Sequence, residues 1–548
     1  MNRLGNAWDN TRRSFLRLAT QREALVAIVI FVLLCALVTT VKMYRLDGLE
    51  GDTATSLQAT ENIAHRGVAT SQVAANSLAF IYDSGLGRMT AGQIAKDPLT
   101  PPPATKEANI MAYHTYYILY LVAPLVWVFP VKFVLFALWT LSFFGVVALA
   151  YLGLRQRNLP VVGASLFCLL IVSHPAWSES LLDGQFYVDR FFVFTGFLLM
   201  YLASRQNVSR AWLVVAGVLC LLVNERGALT AGAFLLLYVL LYWTRPGIDR
   251  IFKLGFSFVL LAYGAIALKL VLTNSFYSSF MPTSIAQIMA NFQQPVFAHD
   301  AELLIFVNLP LILLALFEWR AAVIGIVLLS PNVLGSIGGA EKIAWTTHYH
   351  SYYFPVLVWA AMLGYAAAYR KAAAVTRVRP IYAVAAVCAM PVVLALYLSM
   401  LDPYTAPGPN LSSDTTSNQF FFKLNRLSAN YLGAGSLGAT QQAAGDRLRK
   451  AVPPGSVVTA PEGAMTPLYE HRTIRFFPMG LDTADYAVLA FTPTPQGITY
   501  SGDVSYVGPD EAKKIDAVIV QRMKKDHYDF RHEILIPEIS LAIVKRLK

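Results

Sequence analysis

The chain has 548 residues, 56% of them hydrophobic and only 14% charged, and its formal net charge is +11. A water-soluble protein carries about a quarter charged residues, so a soluble globular enzyme is excluded, and repeated apolar runs between short basic loops make this a polytopic α-helical membrane protein in the lipid bilayer. The basic residues sit in those loops and set topology; they form no patch suited to nucleic acid, and no nucleic-acid partner is expected.

Arg3, Arg12, Arg13, Arg17 and Arg22 precede the first apolar run, at 24–41. No small-residue cleavage site follows it, so it reads as an uncleaved anchor with its N-terminus in the cytoplasm. Residues 42–131 form a long outer region that opens on LDGLEGDTATSLQATENIAHRG, with Asp47, Glu50 and Asp52 close together. Ala54, Leu57, Ala59, Ile63 and Ala64 then recur at roughly helical spacing. The stretch TAGQIAKDPLTPPPATKEAN reads as a flexible loop. HTYYILYLVAPLVWVFP is apolar but short, aromatic and broken by Pro124. If it crossed the bilayer, Arg155 and Arg157 would lie outside, so it is expected to lie along the outer interface.

Further apolar runs at 132–154, 160–174, 186–203, 211–224, 228–243, 252–272, 302–317, 321–336, 352–369 and 380–400 bring the expectation to about eleven spans. Arg155, Arg157, Arg205, Arg210, Arg245, Arg250, Lys253, Arg320, Arg370, Lys371, Arg377 and Arg379 then all fall on the cytoplasmic side. Cys35, Cys168, Cys220 and Cys388 each lie inside an apolar run, so no structural disulfide is expected. Beyond Leu401 the composition turns polar. VVTA, TIRFF, YAVLAF, EILIPEI and SLAIVKRL read as strands, the segment near 440–451 as a helix, and Glu533 to Arg546 as a closing hairpin. The predicted organisation is a transmembrane module over 1–401 and an extracytoplasmic, periplasmic α/β domain over 402–548.

With this threading, charges gather on the outer face. The first outer loop gives Glu50 and Asp52; SESLLDGQFYVDR gives Glu179, Asp183, Asp189 and Arg190; the NERG turn gives Glu225 and Arg226; GGAEKIAWTTHYHSYYF gives Glu341, Lys342, His348 and His350. A charge near the membrane centre costs roughly 2.5–3.5 kcal/mol on insertion scales, and those that persist are paired or line a cavity. Their convergence predicts a polar cavity open to the outside. Plainer roles compete with this one. Asp189 and Arg190 can cap a helix start, and Glu225 and Arg226 can pair with neighbours. His348 and His350, two apart with no third ligand, fit an interfacial pair better than a metal site. Tyr349, Tyr352 and Tyr353, like His114, Tyr116 and Tyr117, suit an aromatic belt. Glu50 and Asp52 could chelate a divalent cation, a weak signal from an acid pair alone.

A first helix, an outer loop opening on an acid, an interfacial helix, a bundle and an outer soluble domain together resemble the membrane glycosyltransferases of the C-type (GT-C) fold. GDTATSLQATENIAHRG is similar to their opening motif, an acid followed by a helix ending near glycine, and HPAWSESLLDGQFYVDRFF to a later segment in which an acid precedes an inward helix. The chain also resembles a bacterial family of predicted membrane proteins of unknown function related to that superfamily, through HTYYILYLVAPLVWVFP, NERG with its following helix, HYHSYYFPVLVWAAMLGY and VPPGSVVTAPEGAMTPLYEHRTIRFFP. The resemblance implies an enzyme that moves a sugar from a polyprenyl-phosphate donor to a lipid, glycan or protein acceptor at the outer face of the inner membrane. Asp52 carries over as its general base. Glu50, His114, Asp183, Asp189, Arg190, Glu225, Arg226, Lys342, His348 and His350 are candidate substrate-binding residues by placement, with Arg190, Arg226, Lys342 or His348 facing the phosphate. Thr53 stands where better-known members place a second acid, which leaves metal use open. The competing readings are a transporter or flippase of a lipid-linked or anionic solute, and a non-catalytic envelope assembly protein.

Overall fold

The computed structural model describes residues 23, 26–27, 29–31, 33–40, 51–78, 91–96, 107–182, 186–206, 208–244, 249–272, 284–335, 342, 348–374, 380–400, 436–461, 464–469, 473–495, 497–501 and 509–547. Among these, four helical stretches are long and apolar enough to cross a membrane: Val131–Arg155, Arg250–Leu270, Phe297–Leu334 and Tyr349–Ala373. The expectation of about eleven spans goes beyond this. Several of the other apolar runs form helices too short to cross on their own.

In chain order, α1 (Val29–Thr40) is followed by the outer-loop helices α2 (Gly51–Arg66), α3 (Gln72–Leu78) and α4 (Ala91–Lys96). Strands β1 (Thr70–Ser71) and β2 (Ala108–Asn109) form a small antiparallel ribbon. The aromatic stretch expected at the interface becomes α5 (Ile118–Val122) and a 3-10 turn over Ala123–Trp127, too short to span, with Trp127, Val128 and Phe129 exposed. Pro124 denies a backbone donor to a continuous helix there.

The bundle comprises α6 (Val131–Arg155), α7 (Val161–Ser173), α8 (Pro175–Leu182), α9 (Phe191–Ala203), α10 (Arg210–Val223), α11 (Glu225–Leu241), α12 (Arg250–Leu272), α13 (Ile285–Phe292), α14 (Pro295–Ala315), α15 (Trp319–Leu334), α16 (Phe354–Ala373) and α17 (Pro380–Met400). Proline opens or precedes several of these, as at Pro130, Pro160, Pro295 and Pro355, where the missing N–H leaves no helix bond unmade. The stretch Phe297–Leu334 doubles back at Glu318, whose backbone leaves the helical region (φ −127°, ψ 80°). Asn308 bonds Tyr353 and Gly364 meets Leu314, so α14 runs alongside α16; Gly325 meets Leu357 and Asn332 bonds Tyr349, so α15 returns.

α16 is the centre of the bundle and is buried from Phe354 through Ala368. Its middle is a close backbone contact. A Cβ at Gly364 would lie 2.0 Å from the Leu314 carbonyl oxygen, so only glycine fits.

In the C-terminal part, α18 (Ser436–Ala451) and α19 (Pro509–Lys525) accompany β3 (Val458–Ala460), β4 (Ile474–Phe476), β5 (Tyr486–Thr494), β6 (Gly497–Ser501), β7 (Ile534–Ile536) and β8 (Leu541–Lys545). The sheet order is β4-β3-β5-β8-β7, with β6 also on β5; β3 is parallel to β4 and β5, and the other pairs are antiparallel. The segments read as strands from sequence fall in β3, β4, β5, β7 and β8; β6 and α19 were not foreseen. The sheet's core includes Val458, Ile474, Val488, Ile543, Leu448 and Ile519, and also Ala54, Val73 and Ala91 from α2, α3 and α4.

Candidate active site

Near the starts of α9, α11 and α16, polar side chains from distant parts of the chain meet. A 3-10 turn over Val188–Arg190 leads into α9 and buries Asp189 completely. One of its oxygens accepts from the Asn224 amide at 2.6 Å and from the Tyr352 hydroxyl, the other from the Tyr116 hydroxyl at 2.9 Å. Asn224 also donates to the Tyr352 oxygen. Its own Oδ1 accepts from the Gly227 N–H at 2.8 Å, which caps α11 and fixes which way the amide faces. Burial alone would raise the Asp189 carboxyl. The neighbouring histidines, the Tyr352 hydroxyl and the Arg226 charge outweigh it and hold the group below the usual carboxylate range.

Beside this cluster, Glu225 opens α11 and is buried. It accepts from His114 Nδ1 at 2.8 Å and from the Thr115 N–H and hydroxyl at 3.2 and 3.3 Å. The negative charges of Asp189 and Glu225 lie at helix N-termini, where the backbone dipole favours them. The Glu225 pairing also ties the segment after β2 to α11, which places Tyr116 against Asp189.

Arg226, half-buried, lies with its guanidinium carbon 5.6 Å from the Tyr349 ring centre, within electrostatic reach of Asp189 and His348. His348 stacks near Tyr187, with ring centres 4.9 Å apart. Burial, offset in part by Asp189, lowers the His348 ring to about 4, so it is neutral near pH 7. Its Nδ1 is buried and bonds nothing among the described residues.

Asp52 sits in the first turn of α2, within electrostatic reach of Asp189 and His114. It is open to solvent, yet surrounding protein strips part of its hydration. That crowding and the Asp189 charge raise its carboxyl, with His114 pulling the other way. Among the described residues, no three His, Cys, Asp or Glu side chains converge as metal ligands.

This chain is similar in structure to ArnT. The ArnT of Cupriavidus metallidurans in its crystal structure bound to undecaprenyl phosphate covers 95% of this chain and 98% of its own, with a TM-score of 0.47 and 12% sequence identity. The apo state of ArnT from the same organism covers 89% and 100%, with a TM-score of 0.43 and 13% identity. No family model matches the chain, and no curated protein matches it.

Of the residues singled out from sequence, Asp52, His114, Asp189, Glu225, Arg226 and His348 come together. Arg190 is buried beside the cluster: it lies over Trp139 at 4.8 Å and over Tyr187 at 5.3 Å, bonds the Ser180 carbonyl, and is within electrostatic reach of His348. Lys342 bonds the Gly335 carbonyl and lies 3.9 Å from the Phe297 ring centre. His350 bonds the Tyr353 hydroxyl at 2.9 Å, and that hydroxyl meets Asn308, on the side of α16 facing α14. Glu50, Asp183 and Glu341 lie outside the described residues, and nothing is described of the Glu179 side chain. Sequence reasoning missed Asn224 and assigned Tyr116 and Tyr352 to an aromatic belt. The signal for Asn224 was its place before Glu225 and Gly227, the pattern of an N-cap.

Proposed function

We propose that this protein is a membrane glycosyltransferase of GT-C type that moves a sugar from a polyprenyl-phosphate donor to a hydroxyl of a lipid, glycan or protein acceptor. The observation that carries this reading is the meeting of Asp52, in the first turn of α2 and within electrostatic reach of Asp189, with the buried, fixed Asp189 cluster and the Arg226 cation near Asp189. Asp52 is the general base: it takes the acceptor hydroxyl proton as the acceptor oxygen bonds the sugar's anomeric carbon. The bond from that carbon to the phosphate oxygen breaks, and polyprenyl phosphate leaves with the electron pair. Arg226 balances the charge that grows on the departing phosphate. A base with an upshifted carboxyl accepts a proton more readily near neutral pH than an ordinary aspartate.

The positive-inside pattern supports a cytoplasmic N-terminus and about eleven passes, with the site and the C-terminal α/β domain (402–548) on the outer face of the bacterial inner membrane. The test compares lipid-linked and envelope glycans of cells carrying Asp52→Asn with wild type at equal membrane protein level. The expected result is a missing sugar with accumulated polyprenyl-phosphate donor. An unchanged profile would overturn Asp52 as base.

A further inference from the structure

The helix that carries Asp52 is held from two sides. Leu57, Ala59 and Ile63 of α2 belong to the bundle core, while Ala54 belongs to the core of the C-terminal sheet. That second core also takes in Val73 of α3 and Ala91 of α4; α3 packs on β4, and α4 packs on α19. Near the Asp52 end of α2, the Thr53 hydroxyl accepts from the Phe186 N–H at 3.1 Å, which joins the helix to the segment leading into Asp189.

Gln58 ties these parts together. Its side chain is buried, and its Oε1 accepts from the Ser71 hydroxyl at 2.8 Å, the Gln72 N–H at 3.1 Å and the Val73 N–H at 3.2 Å. Its Nε2 donates to the Tyr469 carbonyl at 3.0 Å, across 411 positions of sequence. Donors converge on one end of the amide and a carbonyl on the other, so only one orientation satisfies both. Leaving either end unmade in a buried setting is unfavourable.

We infer that α2, α3, α4 and the C-terminal sheet are one packed unit, and that Gln58 is the positioning residue through which this unit holds Asp52 near Asp189. The inference rests on Asp52 as the base. It makes the C-terminal domain part of what places the base, and not a detachable cover for acceptor binding.

Gln58→Glu is the discriminating variant. A carboxylate still accepts from Ser71, Gln72 and Val73, but it cannot donate to the Tyr469 carbonyl and repels it. Protonated, it regains a donor there. Hydrogen exchange is measured on the full-length protein in detergent, together with the cellular glycan profile. The expected result is at least about 10-fold faster exchange over Gly51–Arg66 in Gln58→Glu at pH 8, with Gln72–Leu78 still protected, and recovery of protection as the pH falls toward the ordinary glutamate range of about 4.3. Ile474→Ala, in β4, is expected to loosen Gly51–Arg66 in the same way, whereas Tyr500→Phe, which removes only a hydroxyl that bonds Glu533, is not. Transferred sugar is expected to fall on the order of 10-fold in Gln58→Glu, within the ~10²-fold that a 1 Å misplacement can cost.

Unchanged exchange over Gly51–Arg66 in Gln58→Glu and Ile474→Ala would overturn the shared unit. Faster exchange with a wild-type glycan profile, in cells where Asp52→Asn abolishes transfer, would overturn positioning by Gln58. An unaltered profile in Asp52→Asn strikes the proposed reaction instead, and the exchange data still decide whether the unit exists.

Discussion

The Asn224 amide offers the sharpest test of how the buried carboxylate is held, because two substitutions keep its capping role and change what it presents to Asp189 and its partner Tyr352. Serine and aspartate both cap helices well, so Asn224→Ser and Asn224→Asp retain an acceptor for the Gly227 N–H. Asn224→Ser removes the amide donor at 2.6 Å from Asp189, a bond to a charged group worth about 1.5–3 kcal/mol. Asn224→Asp sets a second carboxylate beside the first. At a separation of about 4 Å and an effective dielectric of about 20, two like charges repel by about 4 kcal/mol, equivalent to roughly three pK units at 1.36 kcal/mol each. One proton is then retained by the folded pair toward neutral pH. The sign follows. In the wild type, the depressed Asp189 carboxyl contributes stability above the unfolded value and loses it only as pH falls through the lower folded value. In Asn224→Asp the folded state binds the extra proton more tightly than the unfolded chain, so stability falls as pH rises from about 4 toward about 7. Thermal midpoints in detergent at pH 5 to 8, taken as differences from wild type, measure this. The expected outcome is a small, pH-independent decrease for Asn224→Ser and a growing decrease with pH for Asn224→Asp. A pH-independent difference for Asn224→Asp would refute the assigned contact.

Two further outcomes are expected. Because Asp52 is raised by crowding and by Asp189 and acts deprotonated, transfer in membrane vesicles should fall as pH drops through a value above the ordinary aspartate range of about 3.9; an acid limb at or below that range counts against it. Gly364→Ala places a methyl 2.0 Å from the Leu314 carbonyl oxygen, and overpacking of this kind costs typically 1–3 kcal/mol or more. A lower thermal midpoint and less protein in the membrane should follow, and wild-type values for both would show that the contact can open.

The sequence placed the charged residues of the site better than it placed their partners. Asp189, Glu225 and Arg226 stand at the edges of apolar runs, and insertion energetics alone mark such positions. What a side chain meets comes from elements far apart in the chain: Asp189 from Tyr116, Asn224 and Tyr352, and Glu225 from His114. No local pattern carries that. Arg190 shows the same limit, since its guanidinium settles between Trp139 and Tyr187, rings that no local pattern brings to it. Tyr352 and Tyr353 read alike as belt residues, yet one meets Asp189 and the other Asn308. In the C-terminal part, period-two patterning exposed most strands. The contribution of Ala54, Val73 and Ala91 to that core was invisible, because small residues carry little pattern.

The burial of α16 bears on how the molecule is made. Of the four stretches among the described residues able to cross a membrane, Tyr349–Ala373 is the least apolar, and it is enclosed from His350 through Ala368. Such a segment gains little from lipid on its own and depends on helices already inserted to accept it. Tyr352 and the residues that complete the Asp189 cluster arrive with it. Biogenesis therefore keeps the cluster unassembled until late in synthesis, and a stalled or truncated chain ending before α16 leaves a bundle without its centre and an Asp189 without its tyrosine partner from that helix.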